Sequence, residues 1–134
     1  MREETRLWFE DAKDSFETAR DNLGLKRYNV TVFFCQQALE KALKGSVLLF
    51  RKRLPPKTHN LKEIYRRVQK DVPLSPEDVE FLGLITPHYA TTRYVDVALA
   101  LPRDVYGEGF TRECLEKTGR VLKRILSRVE ESGR

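Results

Sequence analysis

The sequence predicts an all-α protein: an antiparallel up-and-down bundle of four main helices with one additional short helix, in a single domain over residues 1–134. Three observations lead there. Almost every segment carries its apolar residues at helical spacing, the connections are short and marked by Pro or Gly, and no stretch alternates apolar and polar residues as a half-buried strand would. No internal repeat is present.

The elements follow in order. Residues 4–23 place Trp8, Ala12, Phe16, Ala19 and Leu23 on one stripe. Asn22-Leu23-Gly24 closes that helix, with Gly24 expected in the left-handed conformation. A long, apolar second helix runs from Tyr28 to about Arg51 and stops before Leu54-Pro55-Pro56, because proline disfavours helical geometry in the residue before it. A third spans about Asn60 to Lys70 with Leu61, Ile64, Tyr65 and Val68 inward, and Asn60 with Glu63 approximates a capping box. Ser75-Pro76-Glu77-Asp78 starts a fourth: Ser as N-cap, Pro at the first position, acids in the first turn. That helix carries Val79, Leu82 and Ile85, breaks or kinks at Pro87, and resumes through Tyr89 and Tyr94 to about Ala98. Residues 99–109 read as the longest loop. The last helix covers about Phe110 to Val129, with Lys117, Arg120, Lys123, Arg124 and Arg128 on its outer face and Glu113–Lys117 and Glu116–Arg120 as i,i+4 pairs.

Composition narrows the function classes. The chain has 134 residues, 40% hydrophobic and 34% charged, as a globular protein with a sizeable core would. Its apolar runs, such as Val47 to Phe50, are too short to span a bilayer, and the N-terminal segment begins an acidic amphipathic helix rather than a secretion signal, so no membrane role and a cytoplasmic location are expected. Cys35 and Cys114 lie in apolar helical contexts and are expected as buried, reduced thiols. Two cysteines and two scattered histidines offer no metal-ligand spacing, so neither metal nor cofactor is expected. The net charge of +5 is unevenly spread. Residues 51–70 hold eight Lys or Arg against one acid, Glu63, for a local +7. Such a block is either an ordinary solvated face or the footprint of an anionic partner, nucleic acid or acidic protein.

The strongest functional lead is the run Gln37-x-x-Glu40-Lys41-x-x-Lys44-Gly45 inside the apolar second helix. Positions i, i+3, i+4 and i+7 share one helix face. Buried charge without a partner is expensive, so such a stripe either meets polar partners or lines a site. Gly45 costs about 1 kcal/mol relative to Ala in a helix and is expected to admit a neighbouring helix.

The run Phe33-Phe34-Cys35-Gln36-Gln37-Ala38-Leu39-Glu40-Lys41-Ala42-Leu43-Lys44, followed by His59-Asn60-Leu61 and Thr92-Arg93-Tyr94, resembles the HEPN domain, in particular the small stand-alone prokaryotic type paired with a minimal nucleotidyltransferase. The resemblance covers nearly the whole chain. It implies the four-helix bundle with an extra short helix, a homodimer, and a nucleotidyltransferase partner in a toxin–antitoxin-like system. It also implies that the protein binds a nucleotide or RNA, or acts as a metal-independent ribonuclease through an Arg-x4–6-His motif. This chain departs from that motif. Arg93 stands where the helical arginine would be, but residues 94–101 contain no histidine, and Arg53-x5-His59 crosses Pro55-Pro56 in a loop. A helix-borne general acid/base is therefore missing, and the reading leans away from an enzyme.

Candidate ligand-binding residues are Gln37, Glu40, Lys41, Lys44, His59, Arg93 and Tyr94, with Arg93 and His59 the candidates for any catalysis. Arg93 has two readings. It pairs with Glu40 as a structural fork, or it joins Lys41 and Lys44 in a cationic phosphate pocket with Tyr94 stacking on a base. His59 is either a structural imidazole bonded near a helix start, Tyr94 or Glu40, or a site residue. His88 reads as a packing or surface residue, or as a ribonuclease's acid/base. Tyr94 and Tyr106 are candidate acceptors if a partner transferase modifies a tyrosine. Three functions stay open: a HEPN module holding nucleotide or RNA phosphate, a ribonuclease toxin, and a purely structural protein-interaction scaffold.

Overall fold

The structure, a computed structural model, describes residues 1–133. Its helices are α1 (Glu3–Gly24), α2 (Tyr28–Ser46), α3 (Leu61–Arg66), α4 (Pro76–Ile85), α5 (His88–Thr91), α6 (Val95–Ala98), α7 (Pro102–Val105) and α8 (Glu108–Ser132). No strand occurs among the described residues. The expected bundle is present. α1 and α2 pack side by side across the short turn 25–27, α8 packs on both, and α4 closes the fourth side against α8.

α2 is central, and its sequence explains why. Val32, Cys35, Ala38, Leu39, Ala42 and Leu43 are fully buried, so α2 contributes apolar side chains all around rather than along one stripe. Gly45 lets α1 approach closely: a Cβ there would stand 3.1 Å from the Phe9 ring and from Trp8 Cβ. The stripe of α1 is rotated slightly from the expected one. Thr5, Phe9, Ala12, Ser15 and Ala19 are buried while Trp8 and Phe16 are partly exposed. Thr31 Oγ1 donates to Ala19 O at 2.9 Å and ties the two helices. Cys35 and Cys114 are buried free thiols facing each other between α2 and α8; burial, and then the neighbouring thiol, push Cys35 well above its ordinary value.

Several boundaries differ from expectation. Gly24 is not left-handed; Lys26 takes the positive φ of 60°. α2 continues through a π-helical turn, Val47–Arg51, ending at left-handed Lys52 before the prolines. α3 ends at Arg66 rather than Lys70. The Tyr65 hydroxyl donates to Val72 O at 2.8 Å and accepts from Leu74 N at 2.9 Å, which stabilises hydrogen-bonded turns over 67–74. Asn60 caps α3 through Lys62 N and Glu63 N, and Ser75 caps α4 through Asp78 N at 3.1 Å. After Pro87 the chain does not resume one helix to Ala98. α5 stops at Thr91, Tyr94 is extended, and α6 is a single turn closed by left-handed Leu99. The expected 99–109 loop contains α7, begun by Pro102, and α8 starts at Glu108.

The outer face of α8 is not wholly solvated. Glu113 and Lys117 pair as expected at 2.9 Å. Arg120 turns away from Glu116 and places Nε and Nη2 at 3.2 and 3.0 Å from Asp78 Oδ1, and Arg124 Nη1 lies 3.2 Å from Asp78 Oδ2. Asp78 is 1% exposed, so a buried carboxylate in the first turn of α4 outcompetes an exposed i,i+4 partner.

Gly45→Val is expected to destabilise the protein by about 1–3 kcal/mol through overpacking against Phe9 and Trp8. Urea denaturation measures this, and an unchanged midpoint would refute the close-approach role.

Candidate functional site

The site is built around Glu40. Its carboxylate is nearly buried, and three groups supply it with hydrogen bonds. Gln36 Nε2 donates to Oε1 at 3.1 Å, His59 Nδ1 lies 2.9 Å from the same oxygen, and Lys44 Nζ donates to Oε2 at 3.0 Å. Lys44 is an i,i+4 neighbour on α2, and His59 arrives from the segment before α3. That segment is fixed by Gln36 Nε2 donating to His59 O at 3.0 Å, and by the Leu61 N–H donating to Thr86 Oγ1 at 3.1 Å. Gln37 donates to Gln36 Oε1 at 2.8 Å and orients that amide.

From His59 the array runs outward. Its ring stacks on Tyr89 with centroids 3.6 Å apart and planes 16° from parallel. The Arg93 guanidinium carbon sits 4.1 Å from the Tyr89 centroid, 4.8 Å from Tyr94 and 4.9 Å from Phe33. Two groups that close to one ring occupy its opposite faces, since neither leaves space for the other. Arg93 Nε donates to Tyr89 O at 3.0 Å, an i,i+4 bond across the last turn of α5. The Arg93 charge therefore rests on three aromatic faces, a favourable placement for a guanidinium. His59 is 47% exposed at its side chain and Tyr94 46% exposed, so the outer end of the array faces solvent.

The predicted residues thus separate into two groups. Gln37, Glu40, Lys44 and His59 converge, and Arg93 with Tyr94 joins them through Tyr89. Lys41 does not take part: its Nζ lies 2.9 Å from both Asp11 Oδ2 and Ser15 Oγ of α1. The physical reason is helical rotation, since Lys41 stands about 100° round α2 from Glu40. The Arg93–Glu40 fork does not form either, because Lys44 and His59 already hold that carboxylate and Arg93 is drawn to the rings. Nor do Arg93, Lys41 and Lys44 make one cationic pocket; both lysines are engaged by carboxylates. The loop arginine Arg53 lines a separate cleft with Leu48, Leu49 and the start of α1.

Sequence reasoning missed Gln36, Phe33 and Tyr89 as site residues. Tyr89 stands four residues before Arg93, a spacing that could have shown the contact. The link from Gln36 to His59 crosses from one element to another and left no local signal.

His88 occupies another place. Its Nδ1 lies 2.6 Å from Tyr106 Oη and its ring packs against Tyr106 and Phe110. Burial holds this imidazole below its ordinary value and pushes the Tyr106 phenol up to about 12. His88 is a packing residue that ties α5 to the start of α8, and Tyr106 is buried. Among the described residues no three His, Cys, Asp or Glu side chains gather as a metal site would need, and no helix is long and apolar enough to cross a membrane.

Glu40→Ala leaves Lys44 largely buried without its partner and is expected to cost about 3–5 kcal/mol in urea denaturation; the double variant with Lys44→Met should recover part of that loss. For His88 the unfolded chain binds the proton more readily than the folded one. Stability is therefore complete above the ordinary histidine value of about 6.5 and falls as pH drops through it. Melting temperatures between about pH 7.5 and about pH 5 should decline less for His88→Gln than for the unaltered protein; equal slopes would refute this.

Comparison with known proteins bears on the family and the fold. The HEPN domain family matches residues 5–131. Among solved structures, TT1696 from Thermus thermophilus is similar at 27% identity and a TM-score of 0.85, over 95% of this chain and 99% of that one. ST0689, described as an archaeal HEPN homologue, shares the fold at 24% identity and a TM-score of 0.74, over 96% of this chain and 99% of that one. A comparison with curated proteins gives no match. With the family matched over nearly its full length, the chain belongs to the HEPN domain family.

Proposed function

We propose that this HEPN protein is a homodimeric module that holds a nucleotide or an RNA phosphate at the outer end of the His59–Tyr89–Arg93 array, and that it works with a minimal nucleotidyltransferase in a toxin–antitoxin-like pair. The observation that carries this reading is the array itself: an arginine and a half-exposed imidazole held by one tyrosine ring, beside a strongly cationic segment. Of the eight basic residues in 51–70, Arg51 pairs with Asp71 at 3.2 Å, while Lys52, Arg53, Lys57, Lys62, Arg66, Arg67 and Lys70 form no ion pair among the described residues. His59 belongs to this segment. A phosphate backbone drawn along it reaches the rings, where Tyr94 offers a base a stacking face. Glu40, Gln37 and Lys44 act as positioning residues for His59. Lys41 has no role at the ligand.

The dimer is supported by the strap that follows the array. Val95, Val97, Leu99, Leu101 and Val105 are all exposed beside Tyr94. An apolar run of that kind marks an interaction surface. Its acids Asp96 and Asp104 are offset in part by Arg103, so a second copy meets little like-charge repulsion.

A second reading, a metal-independent ribonuclease, is favoured by one observation: Arg93 and His59, far apart in sequence, meet across Tyr89. His59 would serve as acid/base and Arg93 would stabilise phosphate charge.

Titrating nucleotides and a short single-stranded RNA at two salt concentrations tests the proposal. Binding is expected to weaken with salt and to fall about tenfold in Arg93→Ala, equivalent to about 1.4 kcal/mol. No binding by the unaltered protein leaves the interaction-scaffold reading, and equal binding by Arg93→Ala removes the array as the binding site. Metal-free RNA cleavage that disappears in His59→Ala would instead establish the enzyme.

A further inference from the structure

The basic stripe of α8 lies outside the Glu40 array, and one part of it is built differently from a solvated helix face. Arg120 and Arg124, one turn apart, are both drawn onto Asp78, which is 1% exposed. Arg120 commits Nε and Nη2 to Oδ1, and Glu77 Oε1 lies 3.9 Å from the same Nη2, so Nη1 takes no part in either contact. Arg124 stands 3.2 Å from Oδ2, yet that oxygen accepts no hydrogen bond. Arg124 is thus held by charge while its N–H groups are not aimed at the carboxylate. Beside them Lys123 forms no ion pair among the described residues, and Arg128 has a long contact of 3.7 Å to Glu131 and lies over the Phe50 ring at 5.7 Å.

These side chains line an open groove of about 540 Å³ together with Pro73, Ser127 and one acid, Glu131, so the four cations outnumber the acid in the lining. The buried carboxylate fixes the Arg120 guanidinium, which removes much of the rotamer freedom that an arginine loses on binding, and it draws Arg124 alongside by charge without occupying its N–H groups. Planar forks of this kind match the oxygens of a phosphate in bidentate fashion. The Ser127 hydroxyl adds a neutral donor at the groove wall, and Lys123 adds a mobile positive charge.

We infer that the Arg120–Arg124 pair, gathered by Asp78, forms a second anion site with Lys123 and Ser127, and that it takes a compact multivalent phosphate of diphosphate size. The site is independent of the array at His59 and Arg93. It binds the phosphate group without reading a base, since no exposed aromatic ring lines the groove.

Inorganic pyrophosphate is the probe, with sulfate at equal ionic strength as control. Pyrophosphate should raise the melting temperature of the unaltered protein more than sulfate does. Calorimetric affinity should fall tenfold or more in Arg124→Ala and in Lys123→Ala, both at exposed positions that leave Arg120 on Asp78. Arg124→Lys should bind several-fold more weakly than the unaltered protein, because it keeps the charge and loses the fork. Arg93→Ala should bind pyrophosphate normally, which separates failure here from failure of the array. Two RNA oligonucleotides distinguish the source of the phosphate. Displacement by a 5′-triphosphate strand but not by its 5′-hydroxyl twin assigns the site to terminal phosphates, and displacement by neither assigns it to free polyphosphate. Equal displacement by both, no preference over sulfate, or unchanged affinity in Arg124→Ala would overturn the inference.

Discussion

The buried carboxylate of Glu40 is the constraint on which the rest of the site depends. An ionised carboxylate inside a bundle is tolerable only when its oxygens are filled by hydrogen bonds. Here Gln36 and Lys44 come from the same helix, and His59 comes from a segment with no regular structure of its own. The link to His59 therefore does two things. It satisfies the carboxylate, and it anchors residues 55–60 across α2, where the chain turns from the π-helical end of α2 into α3. With His59 anchored, its ring becomes the surface on which Tyr89 stacks, and Tyr89 in turn carries Arg93.

The breaks in the helices matter as much as the helices. Had the chain continued as one helix from Pro87 to Ala98, Arg93 and Tyr94 would have stood about 100° apart on a regular surface. Instead α5 ends at Thr91, Asn29 Nδ2 of α2 donates to Thr92 O at 3.2 Å, and Tyr94 turns extended. That geometry lets the Arg93 guanidinium lie against Phe33, Tyr89 and Tyr94 together. It also projects the following strap outward, so that its apolar residues lie on the surface beside the array. Leu99 in left-handed geometry is the most exposed of them, and a leucine held there is strained.

Much of this was legible in the chain. The caps at Asn60 and Ser75, the helix start at Pro76, the stop before Pro55-Pro56, the buried thiols and the close approach at Gly45 are local rules and held. The HEPN resemblance held as well, because it rested on three motifs in order rather than on one. What misled were choices between partners. Lys41 had the same spacing credentials as Lys44 but faces α1, where Asp11 and Ser15 wait. Arg120 had Glu116 one turn away but took the buried Asp78 instead. Glu40 was an open partner for Arg93 on paper, yet its oxygens were already filled.

The sequence by itself determined the main helices, their order and the apolar character of α2, because those follow from propensity, periodicity and caps that act over a few residues; the family was legible through its resemblance in three motifs. Only the tertiary structure decided which charge meets which. An ion pair is chosen by burial and by what else competes for the same oxygen, and both depend on helices that are neighbours in space rather than in sequence. The alignment of His59, Tyr89 and Arg93 is of this second kind, since it needs α2, the approach to α3 and the end of α5 in place at once.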